Sequence, residues 1–244
     1  MARFFGLVLA FAATISSANA ALLVSYNFGE SLSKGPSTVA PNVAAAASDG
    51  QFGQSDTFGG TAVAAVNAGT TSQGRTESFY IAPSEANSFI LLSSLSFDAK
   101  RTYNATTTTG ALRSVLASLG LNVGNPTVGD NGEIGLLADP IASGFQAATS
   151  VPAASYTVSP LLTTSLTSTF QTFTVTFTNP LKIDTNKILR TNLTLTGAAN
   201  VGGVQTVYQL DNVNFYGTVV PEPSSMAVFG LLSVGAMVRR IRRK

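Results

Sequence analysis

The sequence predicts an all-β protein, an antiparallel β-sandwich of jelly-roll-like type with one helix on either side of it. Apolar and polar residues alternate with a period of two in several segments, as in half-buried strands, and turn-forming Gly, Pro, Asn and Asp separate most of them. About 200 residues fit one such domain without disulfides. We therefore expect a β-sandwich domain over 21–219, between the terminal segments 1–20 and 220–244.

The first segment has the pattern of a signal peptide. A basic start with Arg3 precedes an apolar run over 4–13, and small residues follow at Ala18 and Ala20. This arrangement satisfies the A-x-A rule of signal peptidase and predicts cleavage before Ala21. We therefore expect a signal helix that directs export and is then removed by signal peptidase; a buried N-terminal helix is the alternative.

Eight segments in the middle of the chain are strand candidates. In chain order they are 22–28, 78–82, 89–97, 111–117, 133–137, 172–178, 188–196 and 207–219. The clearest alternation is that of Phe173, Val175 and Phe177 with threonines, which predicts that the three apolar side chains face the core. Short Gly, Asx-Gly and Asn-Pro sequences predict turns at 59–60, 130–132, 179–180 and 202–203.

Two segments carry more particular predictions. In 89–97, four apolar residues are expected to share one face: Phe89, Leu91, Leu95 and Phe97. Ile90 and Leu92 indicate that the start of this strand is covered on both sides. The Thr-rich stretch 163–169 is predicted to be a loop or an exposed strand face.

The composition excludes several classes of enzyme and metal site. The chain has neither Cys nor His, so disulfides, Ser-His-Asp or Cys-His catalysis and ordinary zinc sites are impossible. The acid and base candidates that remain are mainly carboxylates: Asp49, Asp56, Glu77, Glu85, Asp98, Asp130, Glu133, Asp139, Asp184 and Asp211. Because their spacing singles out no pair of the kind that glycosidases use, we predict that the protein is not an enzyme.

Three polar residues are candidate ligands for a calcium ion. Asp98 follows a predicted strand, and Asp211 and Asn212 lie within the last one. Carboxylate and carbonyl oxygens are the ligands that calcium takes, but no D-x-D-x-D-G run is present. The same side chains can satisfy backbone groups at a strand edge or bend. We expect this second role, and no cofactor.

Aromatic and basic side chains are the groups that would contact a polysaccharide. Six Tyr and no Trp make a weak case for sugar stacking, since Tyr in strands mostly lies in the core or at its rim. The pair Lys100 and Arg101, together with Arg75 and Arg113, suits an anionic polysaccharide. A solvated polar face is the other interpretation of these basic residues.

The basic residues lie mainly at the C-terminus. Over 21–220, eight basic residues stand against eleven acidic ones, a net charge of about −3. Five basic residues end the chain: Arg239, Arg240, Arg242, Arg243 and Lys244. The pI of about 9.0 is therefore a property of the tail, and we predict no nucleic acid partner for the domain.

The last segment has the pattern of a membrane anchor. Pro221, Glu222 and Pro223 favour an extended lead-in to an apolar run over 226–238. An α-helix over 224–238 measures about 22 Å, against a hydrocarbon core of about 30 Å, and snorkelling arginines or local thinning make up the difference. The basic residues after the run place its end on the cytoplasmic side. We therefore expect a transmembrane helix.

The order of Pro-Glu-Pro, apolar helix and terminal arginine cluster resembles the PEP-CTERM sorting signal of Gram-negative bacteria. The segments 95–98 and 210–225 also resemble a group of PEP-CTERM proteins with a jelly-roll body. The resemblance implies that an exosortase, a membrane-embedded peptidase, recognises Pro221, Glu222 and Pro223. The chain would then be held for a time in the inner membrane and passed to the cell surface or the extracellular matrix.

These inferences lead to one expected function and one alternative. We expect an exported, non-enzymatic cell-surface or extracellular-matrix protein, sorted by an exosortase and associated with exopolysaccharide. The alternative is a carbohydrate-binding module of jelly-roll type, with or without a dependence on calcium. The partners implied are signal peptidase, the exosortase, the inner membrane and a polysaccharide.

Overall fold

A computed structural model describes residues 20–28, 34–50, 52–55, 63–67, 74–103, 115–125, 146–163, 165–197 and 206–222. Within these residues the strands are β1 (Ala21–Tyr26), β2 (Thr38–Val39), β3 (Val43–Ala45), β4 (Asp49–Gly50), β5 (Gly53–Ser55), β6 (Val63–Asn67), β7 (Arg75–Pro83), β8 (Ser88–Tyr103), β9 (Val115–Asn125), β10 (Gln146–Ser150), β11 (Tyr156–Ser159), β12 (Gln171–Ile183), β13 (Ile188–Gly197) and β14 (Thr206–Pro221). A 3-10 helix over Ala153–Ser155 precedes β11.

The strands form two antiparallel sheets. The large sheet has the order β11-β12-β8-β14-β1-β2, with β6 beside β14 and β5 beside β6. The small sheet has the order β10-β9-β13-β7-β3, with β4 beside β7. Among the described strands, the chain crosses from one sheet to the other eight times: between β2 and β3, β4 and β5, β6 and β7, β7 and β8, β8 and β9, β10 and β11, β12 and β13, and β13 and β14. The prediction of an all-β protein with antiparallel sheets is confirmed.

Several predictions fall on parts of the chain outside the described residues. These are the signal helix in 1–20, the transmembrane helix over 224–238, the strand 133–137 and the turns at 59–60, 130–132 and 202–203. In the part of the chain that the structure describes, no helix has the length and apolar character needed to cross a membrane.

Side chains from both sheets form one core. Tyr26 of the large sheet packs edge-on against Phe79 of the small sheet, with 4.9 Å between the ring centroids. The Tyr26 hydroxyl donates to Ala46 O at 2.7 Å and lies 3.2 Å from Tyr80 O, and burial raises the pKa of this hydroxyl. Two sheets that share a core in this way have the arrangement of a β-sandwich.

Strand β8 is longer than predicted, and its two halves alternate differently. Its fully buried apolar residues with large side chains are Ile90, Leu92, Leu95 and Phe97. The inward face therefore changes from even to odd positions between Leu92 and Leu95. The register against β14 shifts here, which makes Ser93 the extra residue of a β-bulge. The prediction that Phe89 and Leu91 share the face of Leu95 is wrong for this reason.

Strand β12 confirms the predicted alternation but not the predicted turn at 179–180. Phe173, Val175 and Phe177 are buried, while the threonines between them face solvent. The strand continues through 179–180 to Ile183, with a shift in its register against β8. A proline cannot donate a hydrogen bond to a neighbouring strand, and such irregular positions tolerate it.

The stretch before β12 closes one side of the sandwich. The amide of Leu166 donates to Val115 O of β9 at 2.8 Å, and the amide of Arg101 of β8 donates to Thr167 O at 3.0 Å. Leu166 itself is fully buried in the core. The predicted loop over 163–169 is therefore exposed only in part, because it covers backbone edges of both sheets.

Candidate functional site

The first two residues of the Pro-Glu-Pro sequence lie at the end of β14 and directly after it. Pro221 is the last residue of the strand and lies opposite Ser88 of β8. The amide of Glu222 donates to Asn87 O at 2.7 Å, and Thr185 Oγ1 donates to Glu222 Oε1 at 3.1 Å. The start of the predicted C-terminal segment is therefore part of the large sheet.

The local sequence allows β14 to pair with β8 as far as Pro221. Hydrogen-bonded and non-hydrogen-bonded pairs alternate along an antiparallel ladder. Since the Glu222 amide bonds to Asn87, the preceding pair of Pro221 and Ser88 is of the non-hydrogen-bonded kind, and the missing proline N–H costs no bond to β8. Asn87 has a φ of 64° in the turn between β7 and β8, a left-handed conformation that asparagine tolerates.

The predicted signal cleavage site lies at the same end of the large sheet. Ala20 and Ala21 are exposed, and Ala21, the first residue of β1, pairs with Gly217 of β14. Cleavage before Ala21 would therefore leave β1 complete. Because β1 and β14 are antiparallel neighbours, Ala21 and the start of the C-terminal segment lie at the same end of the body. Ala18 lies outside the described residues.

A comparison with protein families identifies the C-terminal segment. Residues 219–244 match the PEP-CTERM protein-sorting motif. The chain carries a PEP-CTERM sorting signal. This confirms the resemblance of the C-terminal segment to the PEP-CTERM sorting signal. The motif implies an exported protein that is anchored for a time at the membrane and processed by an exosortase-type membrane protein.

The match covers residues 219–244 and does not extend to the β-sandwich body. No curated protein matches the chain. Of the motif itself, Pro221 and Glu222 are described, whereas Pro223 and the basic residues from Arg239 onward lie outside the described residues. The role of the body must therefore be argued from its own side chains.

Asp98 and Asp211, the candidate calcium ligands, lie together on the outer face of the large sheet. Asp98 of β8 is directly opposite Asp211 of β14. Asp98 accepts hydrogen bonds from Thr172 Oγ1 at 2.6 Å and from Asn212 Nδ2 at 2.8 Å. Asp211 Oδ1 accepts from the amide of Asn212 at 2.8 Å.

These contacts stabilise a bulge in β14. Asn212 has a φ of 48°, and the register of β14 against β8 shifts between Asp211 and Asn214. The side chains of Asp211 and Asn212 thus satisfy local donors and acceptors at a bend, which is the second role expected from the sequence. Among the described residues, no group of three or more acidic side chains is arranged to hold a metal ion.

The electrostatic setting of Asp211 disfavours its charged form. Burial raises the pKa of the Asp211 carboxyl, and the facing Asp98 carboxylate raises it further. Two like charges directly opposite each other on one face of a sheet repel. The raised pKa therefore favours the neutral form of the Asp211 carboxyl on the outer face of the large sheet.

Glu77 is the centre of a buried polar cluster that sequence reasoning missed. Its Oε1 accepts from Ser48 Oγ at 2.7 Å and forms an ion pair with Lys34 Nζ at 3.0 Å, and its Oε2 accepts from the amide of Phe52 at 3.1 Å. A Cβ at Gly50 would lie 2.5 Å from Oε2, so only glycine fits beside the carboxylate. The cluster ties the segment around β4 to β7.

The basic residues named from the sequence do not act as one patch. Lys100 Nζ lies 4.2 Å from the centroid of the Phe170 ring, whereas Arg101, its neighbour in β8, faces the other way because adjacent strand residues alternate. Two guanidinium nitrogens of Arg101 are buried. Arg75 begins β7 in the small sheet, and Arg113 lies outside the described residues.

The outer face of the large sheet is lined by hydroxyl and amide side chains. One row crosses five adjacent strands, each member opposite the next: Ser159, Thr174, Ser96, Asn214 and Ser25. A second row lies two residues along the strands: Thr157, Thr176, Ser94 and Tyr216. With strands about 4.8 Å apart, the first row spans about 19 Å. We call these two rows the hydroxyl face.

Proposed function

We propose that the protein is an exported, non-enzymatic component of the cell surface or extracellular matrix that associates with exopolysaccharide through the hydroxyl face. In this proposal, signal peptidase cleaves before Ala21 and an exosortase processes the chain near Glu222. The processed β-sandwich is then the functional protein. The PEP-CTERM motif supports the route, and the hydroxyl face is the observation that carries the binding role.

The chemistry of the hydroxyl face suits a polysaccharide. A hydroxyl group both donates and accepts hydrogen bonds, so rows of Ser and Thr can pair with the hydroxyls that recur along a glycan chain. Each such bond contributes little on its own, because water competes for it. Many bonds along one extended chain add up through multivalency. Tyr216 at the end of the second row adds an apolar ring surface.

Charge favours a neutral polysaccharide over an anionic one. The segment 21–220 has a net charge of about −3, and Asp98 and Asp211 lie beside the hydroxyl face. An anionic polysaccharide would be repelled by this field at low salt. We therefore expect binding to neutral chains that changes little with salt concentration.

A non-enzymatic role is supported by the use of the paired carboxylates. Acid and base catalysis needs carboxyl groups that can reach a substrate. Both oxygens of Asp98 accept hydrogen bonds from side chains of the body, and Asp211 Oδ1 is held by the amide of Asn212. These acids support the sheet rather than face a cleft.

Polysaccharide sedimentation with residues 21–222 tests the binding role. We expect the domain to bind neutral insoluble glycans, and expect T174A/T176A to bind about tenfold more weakly, since two hydroxyl contacts are removed at the centre of the face. T149A/S150A, which removes two exposed hydroxyls from β10 of the small sheet, is the matched control. Equal binding by both double variants, or binding by neither them nor the wild type, would overturn this role.

The alternative function is a calcium-dependent carbohydrate-binding module of jelly-roll type. The observation that favours it is the pair of carboxylates, Asp98 and Asp211, at the border of the hydroxyl face. A module of this kind would bind one oligosaccharide with saturation and lose it on addition of a chelator. Matrix association predicts broad binding that a chelator leaves unchanged, so the same sedimentation assay with and without chelator separates the two functions.

A further inference from the structure

The PEP-CTERM motif begins inside the folded body. Pro221 is paired in the large sheet opposite Ser88, and the amide of Glu222 is bonded to Asn87 O at 2.7 Å. Backbone groups that are already paired with β8 are not free to pair with a second protein. A peptidase that binds the motif as an extended chain must therefore compete with the body for it.

Thr185 is the side chain that fastens the motif to the body. Its hydroxyl lies 3.1 Å from Glu222 Oε1 and also donates to Ser88 O. A hydroxyl has one proton, so Thr185 shares it between the motif and the strand beside it. Thr185 lies two residues after the end of β12. There its hydroxyl bonds to the backbone of β8 in place of the backbone hydrogen bond that a longer β12 would make.

The attachment of Glu222 to the body is important because the predicted transmembrane segment begins only a few residues later. Three residues separate Glu222 from the apolar run that begins at Met226, and the four Cα-to-Cα steps between these two residues span at most about 14 Å. While β14 is paired to its end, the turns of the body next to Glu222 are therefore held close to the membrane surface. Release of the last residues of β14 would lengthen the accessible chain on the side where the peptidase acts.

We propose that processing requires release of residues 220–222 from β8, and that Thr185 is a positioning residue that opposes this release. This inference rests on the proposed sorting of the chain by an exosortase. The rate of processing is then the rate for the released chain multiplied by the fraction of molecules in which it is released. Weakening the attachment speeds processing, and strengthening it slows processing.

The test follows the full chain by pulse-chase in cells that contain an exosortase. T185V keeps the shape of the side chain and removes the donor, and we expect it to be processed about three- to tenfold faster than the wild type. T185S restores the hydroxyl and should return the rate to that of the wild type. The matched control is T178V, at an exposed threonine of β12, and it should change nothing.

A disulfide staple tests the opposite direction. Phe89 and Val220 are directly opposite in β8 and β14, and Cα atoms in such pairs are about 4.5–5.5 Å apart, which a disulfide can bridge. The chain has no other cysteine. We expect oxidised F89C/V220C to be processed more slowly than the same variant after reduction. Equal rates before and after reduction, or a T185V rate equal to that of the wild type, overturn the inference.

A third variant separates this inference from the proposed function. We expect E222A to remain unprocessed, both alone and together with T185V, because the exosortase motif is lost. If E222A is processed like the wild type, sorting through this motif is wrong. If E222A remains unprocessed while T185V and the staple leave the rate unchanged, sorting stands and the role of Thr185 is wrong.

Discussion

At the scale of single residues, the buried carboxylate of Glu77 is unexpected for a chain with so few charged residues. The side chain is fully buried in a chain with only 11% charged residues. Each of its oxygens has a defined donor, and Lys34 supplies the compensating charge. A buried charge is tolerated only when it is paired and hydrogen-bonded in this way.

We predict that E77Q destabilises the domain by about 1–3 kcal/mol. The Gln oxygen can accept from the amide of Phe52 and its Nε2 group can donate to the Ser48 hydroxyl, but Nε2 then faces the Lys34 ammonium, which loses its charged partner. Denaturant unfolding of residues 21–222 measures the change. E85Q, at an exposed position, is the control and should lie within about 0.5 kcal/mol of the wild type. An unchanged midpoint for E77Q would contradict the role of the cluster.

Residue chemistry was predictable from the sequence only where it is local. Pro221 and Glu222 belong to a short linear pattern that the family comparison confirms, so the sorting motif could be named in advance. The partners of Glu77 come from residues 34, 48 and 52, more than twenty positions away. No periodicity links these positions, because the fold alone brings them together.

At the scale of elements, the stretch over 163–169 shows why a polar segment can be structural. The backbone of this stretch bonds to β8 through Thr167 and to β9 through Leu166, and the Leu166 side chain enters the core. Hydroxyl-rich composition predicted exposure correctly for most of its residues. One leucine in a run of Ser and Thr was the signal for a buried anchor.

We predict that L166A destabilises the domain by about 2–4 kcal/mol, because a fully buried leucine leaves a cavity between the sheets when truncated. L161A is the matched control, since Leu161 is 68% exposed, and it should change the unfolding free energy by less than about 0.5 kcal/mol. Thermal and denaturant unfolding measure both variants. Similar effects of the two substitutions would show that the stretch does not close the sandwich.

Strand faces were predictable except where bulges intervene. In β12 the alternation of Phe173, Val175 and Phe177 runs without interruption, so the period of two assigned each face correctly. In β8 the bulge at Ser93 reverses the alternation halfway. A one-residue insertion moves every following side chain to the other face, and its position depends on the pairing with β14, which the sequence of β8 alone does not contain.

At the scale of the whole molecule, both terminal segments leave the sandwich at one end. Ala21 begins β1 beside Gly217, and β14 continues from there to Pro221. The chain is thus arranged so that removal of either terminal segment leaves the strands of the large sheet intact. The hydroxyl face lies across the strands of that sheet and is the surface that the processed protein would present to its surroundings.

The intact mass of the exported protein tests the central claim most directly, that this chain is a sorted β-sandwich rather than a permanent membrane protein. The protein would be expressed in cells that contain an exosortase, purified from the cell surface or medium, and measured by mass spectrometry. We predict a product that begins at Ala21 and lacks the basic residues from Arg239 to Lys244. An exported product whose mass still includes that basic tail would contradict the account.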